Sequence, residues 1–181
     1  QLTGSPREHT CPRISPDGKS IAYLSAEEGM RAERNEVYRM DMDGSHVTML
    51  THGFIIPRLL TGELAARYDC PVWSPDGKWL AAILRLYWGD YLAIIPADGA
   101  SNARYMKVET VSSVSAPVWL PDTAKGKQAS HLLIVYPQGV RPARLLSIDL
   151  KKAGLLEASY PDSNGVDLAT TDLDPNLIAW D

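Results

Sequence analysis

Apolar residues come in short bursts along this chain, some alternating with polar ones and some unbroken, and each burst ends at a cluster of Pro, Asp, Gly or Ser. Ile21-Ala22-Tyr23-Leu24, Val37-Tyr38-Arg39-Met40, Val47-Thr48-Met49-Leu50, Leu80-Ala81-Ala82-Ile83 and Tyr91 to Pro96 are the clearest. Bursts this short, rich in Val, Ile, Leu and Tyr, predict strands, and the unbroken ones predict strands covered on both faces. The punctuation between them predicts hairpins. In Ser15-Pro16-Asp17-Gly18-Lys19, repeated letter for letter as Ser74-Pro75-Asp76-Gly77-Lys78, proline presets the turn backbone, Ser and Asp bond to it, and glycine takes a left-handed position. Asp41-Met42-Asp43-Gly44 and Ala97-Asp98-Gly99 close further strands, and Asp-Gly is itself a strong hairpin signal.

The two pentapeptides sit at the same place within a longer repeat. Cys11-Pro12-Arg13-Ile14 precedes the first and Cys70-Pro71-Val72-Trp73 the second, while Ala116-Pro117-Val118-Trp119-Leu120-Pro121-Asp122 opens an altered third unit. A fourth begins near Asp172-Leu173-Asp174-Pro175. Pro12 and Pro71 are 59 residues apart, Pro71 and Pro117 are 46, and repeats of about 40 to 50 residues mark propellers. Two hairpins per unit supply the four strands of a blade. The expected fold is therefore all-β, a β-propeller of four-stranded blades. Its units are the tail of a blade at 1–10, a blade at 11–53, an insertion at 54–69, blades at 70–107 and 108–160, and the start of another at 161–181. Gln1-Leu2-Thr3-Gly4 matches Met49-Leu50-Thr51-His52, the close of a blade, so the chain is expected to be part of a larger ring.

The pattern of Pro, two residues, Ser-Pro-Asp-Gly-Lys, an Ile-Ala-Tyr strand, then Val-Tyr-x-Met-Asp-x-Asp-Gly and a closing Leu-Thr resembles the TolB-type, WD-like propeller repeat. Units one and two match well. Unit three replaces the Gly-Lys of the hinge with Thr123-Ala124-Lys125-Gly126-Lys127, and unit four keeps only Asp174-Pro175. The resemblance implies a periplasmic or cell-envelope interaction protein, a subunit of a larger assembly, that binds protein partners without cofactor or metal. The alternative it implies is the substrate-gating propeller of a prolyl-oligopeptidase-like serine peptidase whose catalytic domain lies outside this chain. A blade motif specifies architecture and leaves activity open.

Composition and charge narrow the field. The net charge of -4, with no Lys/Arg cluster beyond pairs such as Lys151-Lys152, offers no stripe to neutralise a phosphate backbone, so nucleic acid is excluded as a partner. The apolar runs around Leu80 to Leu86 and Tyr91 to Ile95 fall far short of the roughly 18 residues of a membrane helix. No Gly-x-Ser-x-Gly elbow occurs, and His9, His46, His52 and His131 are not grouped with a nucleophile, so no catalytic constellation is legible. Asp41-Met42-Asp43-Gly44 lacks the further ligands and terminal Glu of a calcium loop. Of the aromatic residues Trp73, Trp79, Trp88, Trp119 and Tyr91, most fall at strand positions suited to packing blade on blade rather than to binding a sugar.

Cys11 and Cys70 occupy equivalent places. A disulfide would require their Cα atoms to approach within about 7 Å near a common axis. Two small buried hydrophobes, a part that Ala116 plays in unit three, are the simpler reading. Two segments interrupt the repeat and are candidates for recognition, since rigid scaffolds carry function on their loops. Ala26 to Asn35 is a charged hairpin tip with Glu27, Glu28, Arg31, Glu33 and Arg34. His52 to Asp69 carries Phe54, Ile55, Ile56, Leu59 and Leu60, the candidate partner contacts, and its Gly62 to Tyr68 stretch suits one or two helical turns.

Overall fold

Turn-punctuated apolar bursts give twelve strands and no helix among the residues that the computed structural model describes, which are 8–26, 34–51, 66–86, 89–108, 114–121, 129–138, 141–151 and 153. They form three antiparallel sheets. The first runs β1 (His9–Ile14), β2 (Ser20–Ser25), β3 (Glu36–Asp41), β4 (Thr48–Met49). In the second, β5 (Ala66–Tyr68) and β6 (Val72–Trp73) both pair with β7 (Trp79–Leu86), which is followed by β8 (Gly89–Pro96) and β9 (Arg104–Val108). The third comprises β10 (Val118–Pro121), β11 (Ala129–Gln138) and β12 (Arg141–Asp149). Ala66–Tyr68 is a strand where the sequence suggested a helical turn: its ladder to Leu84–Leu86 supplies backbone partners that an isolated turn lacks. His131 lies within β11.

The opening strands share one register. Ile14 pairs with Ile21 and Arg13 with Ala22; Trp73 pairs with Leu80 and Val72 with Ala81; Trp119 pairs with Leu132 and Val118 with Leu133. A bulge then interrupts each strand at its Cys-Pro or Ala-Pro step, after which pairing resumes at Thr10 with Leu24. The same step is closed by Asp69 N–H to Ile83 C=O at 2.8 Å in the second sheet and by Ser115 N–H to Val135 C=O at 3.3 Å in the third. Proline offers no N–H to a ladder, so a bulge is the place a strand tolerates it. β5 and β6 are thus two halves of one bulged strand.

Both hinges use one hydrogen-bond set. Ser15 Oγ donates to Asp17 Oδ1 at 2.6 Å and accepts from Ser20 N–H at 2.9 Å, and Ser74 Oγ treats Asp76 and Trp79 in the same way at 2.6 and 3.0 Å. Gly18 and Gly77 both sit at φ +72°, a conformation that costs residues with a Cβ about 1–2 kcal/mol. At the next turn, a Cβ on Gly99 (φ +70°) would lie 2.8 Å from Thr48 Cγ2 of the first sheet. This glycine therefore serves the approach of two sheets as well as its own turn.

The sheets stack face on face. Ala22, Leu24, Val37 and Leu50 of the first join Tyr68, Leu80, Ala82, Leu84, Tyr91, Ala93, Ile95 and Tyr105 of the second in one buried cluster. Alternation sends Ala81, Ile83, Leu92, Ile94, Met106 and Val108 to the other face, where they meet Trp119, Leu132, Ile134 and Ile148 of the third. That sandwich explains why β8 is apolar almost without break. The opposite face of the first sheet carries its own cluster of Ile21, Tyr23, Tyr38 and Met40.

Two kinds of link join the opening strands. Trp73 donates its indole N–H to Arg13 C=O at 2.9 Å, and Trp119 donates its own to Val72 C=O at 2.9 Å, the same bond moved on by one sheet. Cys11 and Cys70 form a disulfide with Cα atoms 5.3 Å apart. This corrects the expectation of two unlinked apolar residues: the bulges carry both cysteines to facing points of adjacent strands. The bond closes a 59-residue separation, for which the chain-entropy account gives about 4 kcal/mol of stabilisation. Replacing both cysteines by serine should lower the urea-unfolding free energy by up to about that amount. Protein unfolded without reductant should leave neither thiol open to alkylation; alkylation before reduction would contradict the bond.

Candidate functional site

The described ends of the two interrupting segments meet at one rim, the end of the sheets where β2 leaves and β3 enters. Asn35 stands just before β3 and binds β5 like a strand neighbour. Its backbone N–H donates to Ala66 C=O at 3.4 Å, its Nδ2 donates to Tyr68 C=O at 3.1 Å, and its Oδ1 accepts from Tyr68 N–H at 2.6 Å. Only a carboxamide offers a donor and an acceptor side by side, as a peptide group does. The end of the Ala26–Asn35 segment is thereby fastened to the end of the His52–Asp69 segment. Phe54, Ile55, Ile56, Leu59 and Leu60 lie outside the described residues.

Beneath this clamp a polar seam runs between the first and second sheets. Thr51 Oγ1 donates to Glu36 Oε2 at 2.5 Å and accepts from Val37 N–H at 3.0 Å, and the Arg34 guanidinium approaches Glu36 Oε1 at 4.0 Å. The hydroxyls of Tyr68 and Tyr105 meet at 2.8 Å. Burial pushes the Tyr68 phenol well above its ordinary range, reinforced by Tyr105 and the Glu36 charge. Burial likewise raises Tyr105, its bond to Tyr68 acting the other way and Glu36 adding to the rise. Both phenols are therefore held neutral, as hydrogen-bonding groups rather than acids.

Arg85 forms a second node on the same rim. Its Nε and Nη2 grip both oxygens of Asp69 at 3.1 and 2.5 Å, Nη1 donates to Asp90 Oδ2 at 2.8 Å, and Nη2 also donates to Val114 C=O at 3.0 Å. Val114 N–H returns a bond to Asp90 Oδ2 at 3.2 Å. The hydrogen bond that Arg85 donates to Asp69 leads the causes that raise the Arg85 pKa. Both carboxylates are engaged, so the node fixes the bulge beside Cys70 and the approach to the third sheet; it leaves no carboxylate poised as a general base.

At the opposite rim, Arg39 crosses from β3 to the next sheet, with Nε donating to Ser20 Oγ at 3.1 Å and Nη1 to Ala97 C=O at 2.8 Å. In the Asp41–His46 turn, His46 Nδ1 meets Asp41 Oδ2 at 2.8 Å and Ser45 Oγ at 3.1 Å, while Asp43 accepts from Ser45 N–H and Oγ at 2.9 and 2.6 Å. Both contacts of the imidazole use one nitrogen, whereas a serine–histidine–aspartate relay needs one partner on each. Among the described residues no group of His, Cys, Asp and Glu is placed to hold a metal ion, and no helix is long and apolar enough to cross a membrane. Asn35, Arg39 and Arg85 were not singled out from the sequence. The one faint sign was opposite charges flanking the β7–β8 turn, Arg85 against Asp90.

No protein-family model matches the chain. It is 39% identical over 66 residues to an uncharacterized protein of Agrobacterium fabrum, covering 36% of this chain and 17% of that protein. It is 30% identical over 88 residues to the uncharacterized peptidase YuxL of Bacillus subtilis, covering 49% of this chain and 11% of that protein. The chain thus spans less than a fifth of the length of either curated relative. Among solved structures, a putative TolB from Agrobacterium tumefaciens superposes with a TM-score of 0.52 at 24% identity, over 82% of this chain and 48% of that one. Hydrazine synthase of Kuenenia stuttgartiensis superposes at 0.50 and 19% identity, over 81% of this chain and 42% of that one. These likenesses show a TolB-like propeller fold.

The tyrosine pair gives the molecule an alkaline limit. The folded pKa values are raised, so the stabilisation is present below the ordinary phenol value of about 10 and is lost as pH rises past it, when the unfolded chain sheds protons that the folded chain keeps. Urea midpoints should fall between about pH 9 and about pH 11, and less steeply in a Tyr68→Phe, Tyr105→Phe double variant. An equal fall in the variant would contradict this account.

Proposed function

We propose that the chain forms successive four-stranded blades of a larger β-propeller that acts as a non-enzymatic scaffold for protein–protein interaction in the cell envelope. The units are those drawn from the sequence, the bulged strand from Ala66 belonging to the second blade. The observation that carries the reading is the covalent and hydrogen-bonded coupling of the first two sheets: Cys11–Cys70, Trp73 to Arg13, Arg39 to Ala97 and Asn35 to β5. Loops mounted on sheets tied in this way meet a partner without a large ordering cost. The disulfide supports an extracytoplasmic setting, because such bonds persist where thiols are not kept reduced.

Recognition is assigned to the rim at which Asn35 fastens the two interrupting segments, with Phe54, Ile55, Ile56, Leu59 and Leu60 as the contacts. A second reading makes the propeller the gate of a prolyl-oligopeptidase-like serine peptidase, and the 30% identity to YuxL over 88 residues favours it. A fluorophosphonate probe separates the two when applied to the full-length protein alongside crosslinking and capture. The scaffold reading expects no labelling, and recovery of a defined partner that is lost on Phe54→Asp with Leu60→Asp. Covalent labelling of the full-length protein would overturn it in favour of the peptidase.

A further inference from the structure

Arg67 stands exposed in β5 between the buried Ala66 and Tyr68, and its strand is held along both edges. On one side β5 is laddered to β7, with Arg67 directly opposite Arg85. On the other, Asn35 takes the C=O of Ala66 and both the N–H and the C=O of Tyr68, the groups that flank Arg67. The backbone beneath this arginine is therefore fixed, although β5 is only three residues long. A side chain carried on such a support gives up less freedom when it engages a ligand. Its charge does nothing for the ladder. The row across the second sheet reads Arg67, Arg85, Asp90, Val108, and like charges directly opposite each other are unfavourable. Arg85 is drawn to Asp69, Asp90 and Val114 C=O. Among the described residues, no hydrogen bond or ion pair engages the Arg67 guanidinium. Asp90 is 9% exposed and Val108 0%, so the row is closed at its outer end and open at Arg67.

We infer that Arg67 is a binding residue for a carboxylate that a protein partner presents at this rim, from an acidic side chain or from a chain terminus. A guanidinium offers parallel N–H groups in one plane, the arrangement that meets both oxygens of a carboxylate. The surrounding charge selects the class of anion. Arg85 lies between Asp69 and Asp90, which leaves one uncompensated negative charge beside Arg67. That charge balances the free guanidinium within the fold and repels a phosphate, which carries close to two charges at neutral pH, more than it repels a singly charged carboxylate. Asn35 then does more than fasten two segments together. By copying a further strand along the open edge of β5, it sets the position from which Arg67 reaches the partner.

This inference deepens the assignment of recognition to the rim and rests on it, and the experiment separates the two. The full-length protein is titrated at low ionic strength into dansyl-Gly-Glu-Gly-Glu-Gly-amide, into its Gln counterpart, and into dansyl-Gly-Gly-Gly-Gly-Gly with a free terminal carboxylate, and binding is read as fluorescence anisotropy. At least one carboxylate probe should bind about tenfold or more tighter than the Gln probe, and Arg67→Gln should remove that advantage. The tighter of the two carboxylate probes identifies the source as side chain or terminus. Arg13→Gln, which removes another exposed arginine, one bonded to Pro12 C=O, should leave the advantage intact. Asn35→Ala should reduce it while Arg67 is still present. Equal binding of the Gln probe, no binding of either carboxylate probe, unchanged affinity in Arg67→Gln, or displacement by inorganic phosphate at lower concentration than by acetate would overturn the carboxylate site. Any of these beside partner capture that is still lost on Phe54→Asp with Leu60→Asp would leave the rim standing. Capture that survives that double variant, with Arg67 still governing the probes, would overturn the rim assignment instead.

Discussion

One hydrogen bond, from an indole N–H to a carbonyl on the edge of the preceding sheet, sets the placement on which the rest depends. An edge strand has carbonyls that its own ladder does not use, and such edges invite uncontrolled pairing. Here Arg13 and Val72 offer theirs to Trp73 and Trp119. The acceptor lies two residues past each cysteine and the donor one residue further on in the next unit, so the bulge at the Cys-Pro step governs both. With the opening strands fixed side by side, Cys11 and Cys70 are within reach of each other, and the wider strands fan outward to bury their faces.

What this placement secures is chiefly burial. The second sheet is apolar on both sides because each side has a neighbour, and about 25 cal/mol per Å2 of apolar surface removed from water is the dominant favourable contribution in such a stack. Polar links add direction rather than bulk stability. Arg39 to Ala97, Asn35 to β5 and the Glu36–Thr51 and Tyr68–Tyr105 pairs are each satisfied in a part-buried or buried setting, and each joins two sheets or borders their seam. A satisfied buried polar group permits one alignment of its partners and penalises the others. Gly99 adds a steric condition, since the Thr48 methyl occupies the space a side chain would need.

The strand content was legible because alternation and turn residues act locally. Ile21–Leu24 lies in a strand of the first sheet, and Leu80–Ile83 and Tyr91–Pro96 lie in paired strands of the second. Three features were hidden, each for a physical reason. The disulfide depends on how closely two strands approach, a tertiary distance that equivalent positions in a repeat leave open. Ala66–Tyr68 is too short for its own pattern to show, and the bulge at Asp69 to Pro71 separates it from the strand it continues. The tryptophans could be read as packing residues from their positions, but the role of the N–H depends on which neighbour meets it. The rim was harder still: Asn35 and Arg85 look like ordinary polar residues until their partners, 31 or more residues away in Ala66 and Tyr68 or near at hand in Asp69 and Asp90, are known.

The central claim is best tested on the indole protons themselves, by following hydrogen–deuterium exchange of the tryptophan Nε1–H signals by NMR in native buffer. The account predicts that the Trp73 and Trp119 protons exchange far more slowly than those of the unfolded chain, and that each loses its protection only when the sheets separate. Exchange of both at the unfolded rate while the strand amides remain protected would contradict it.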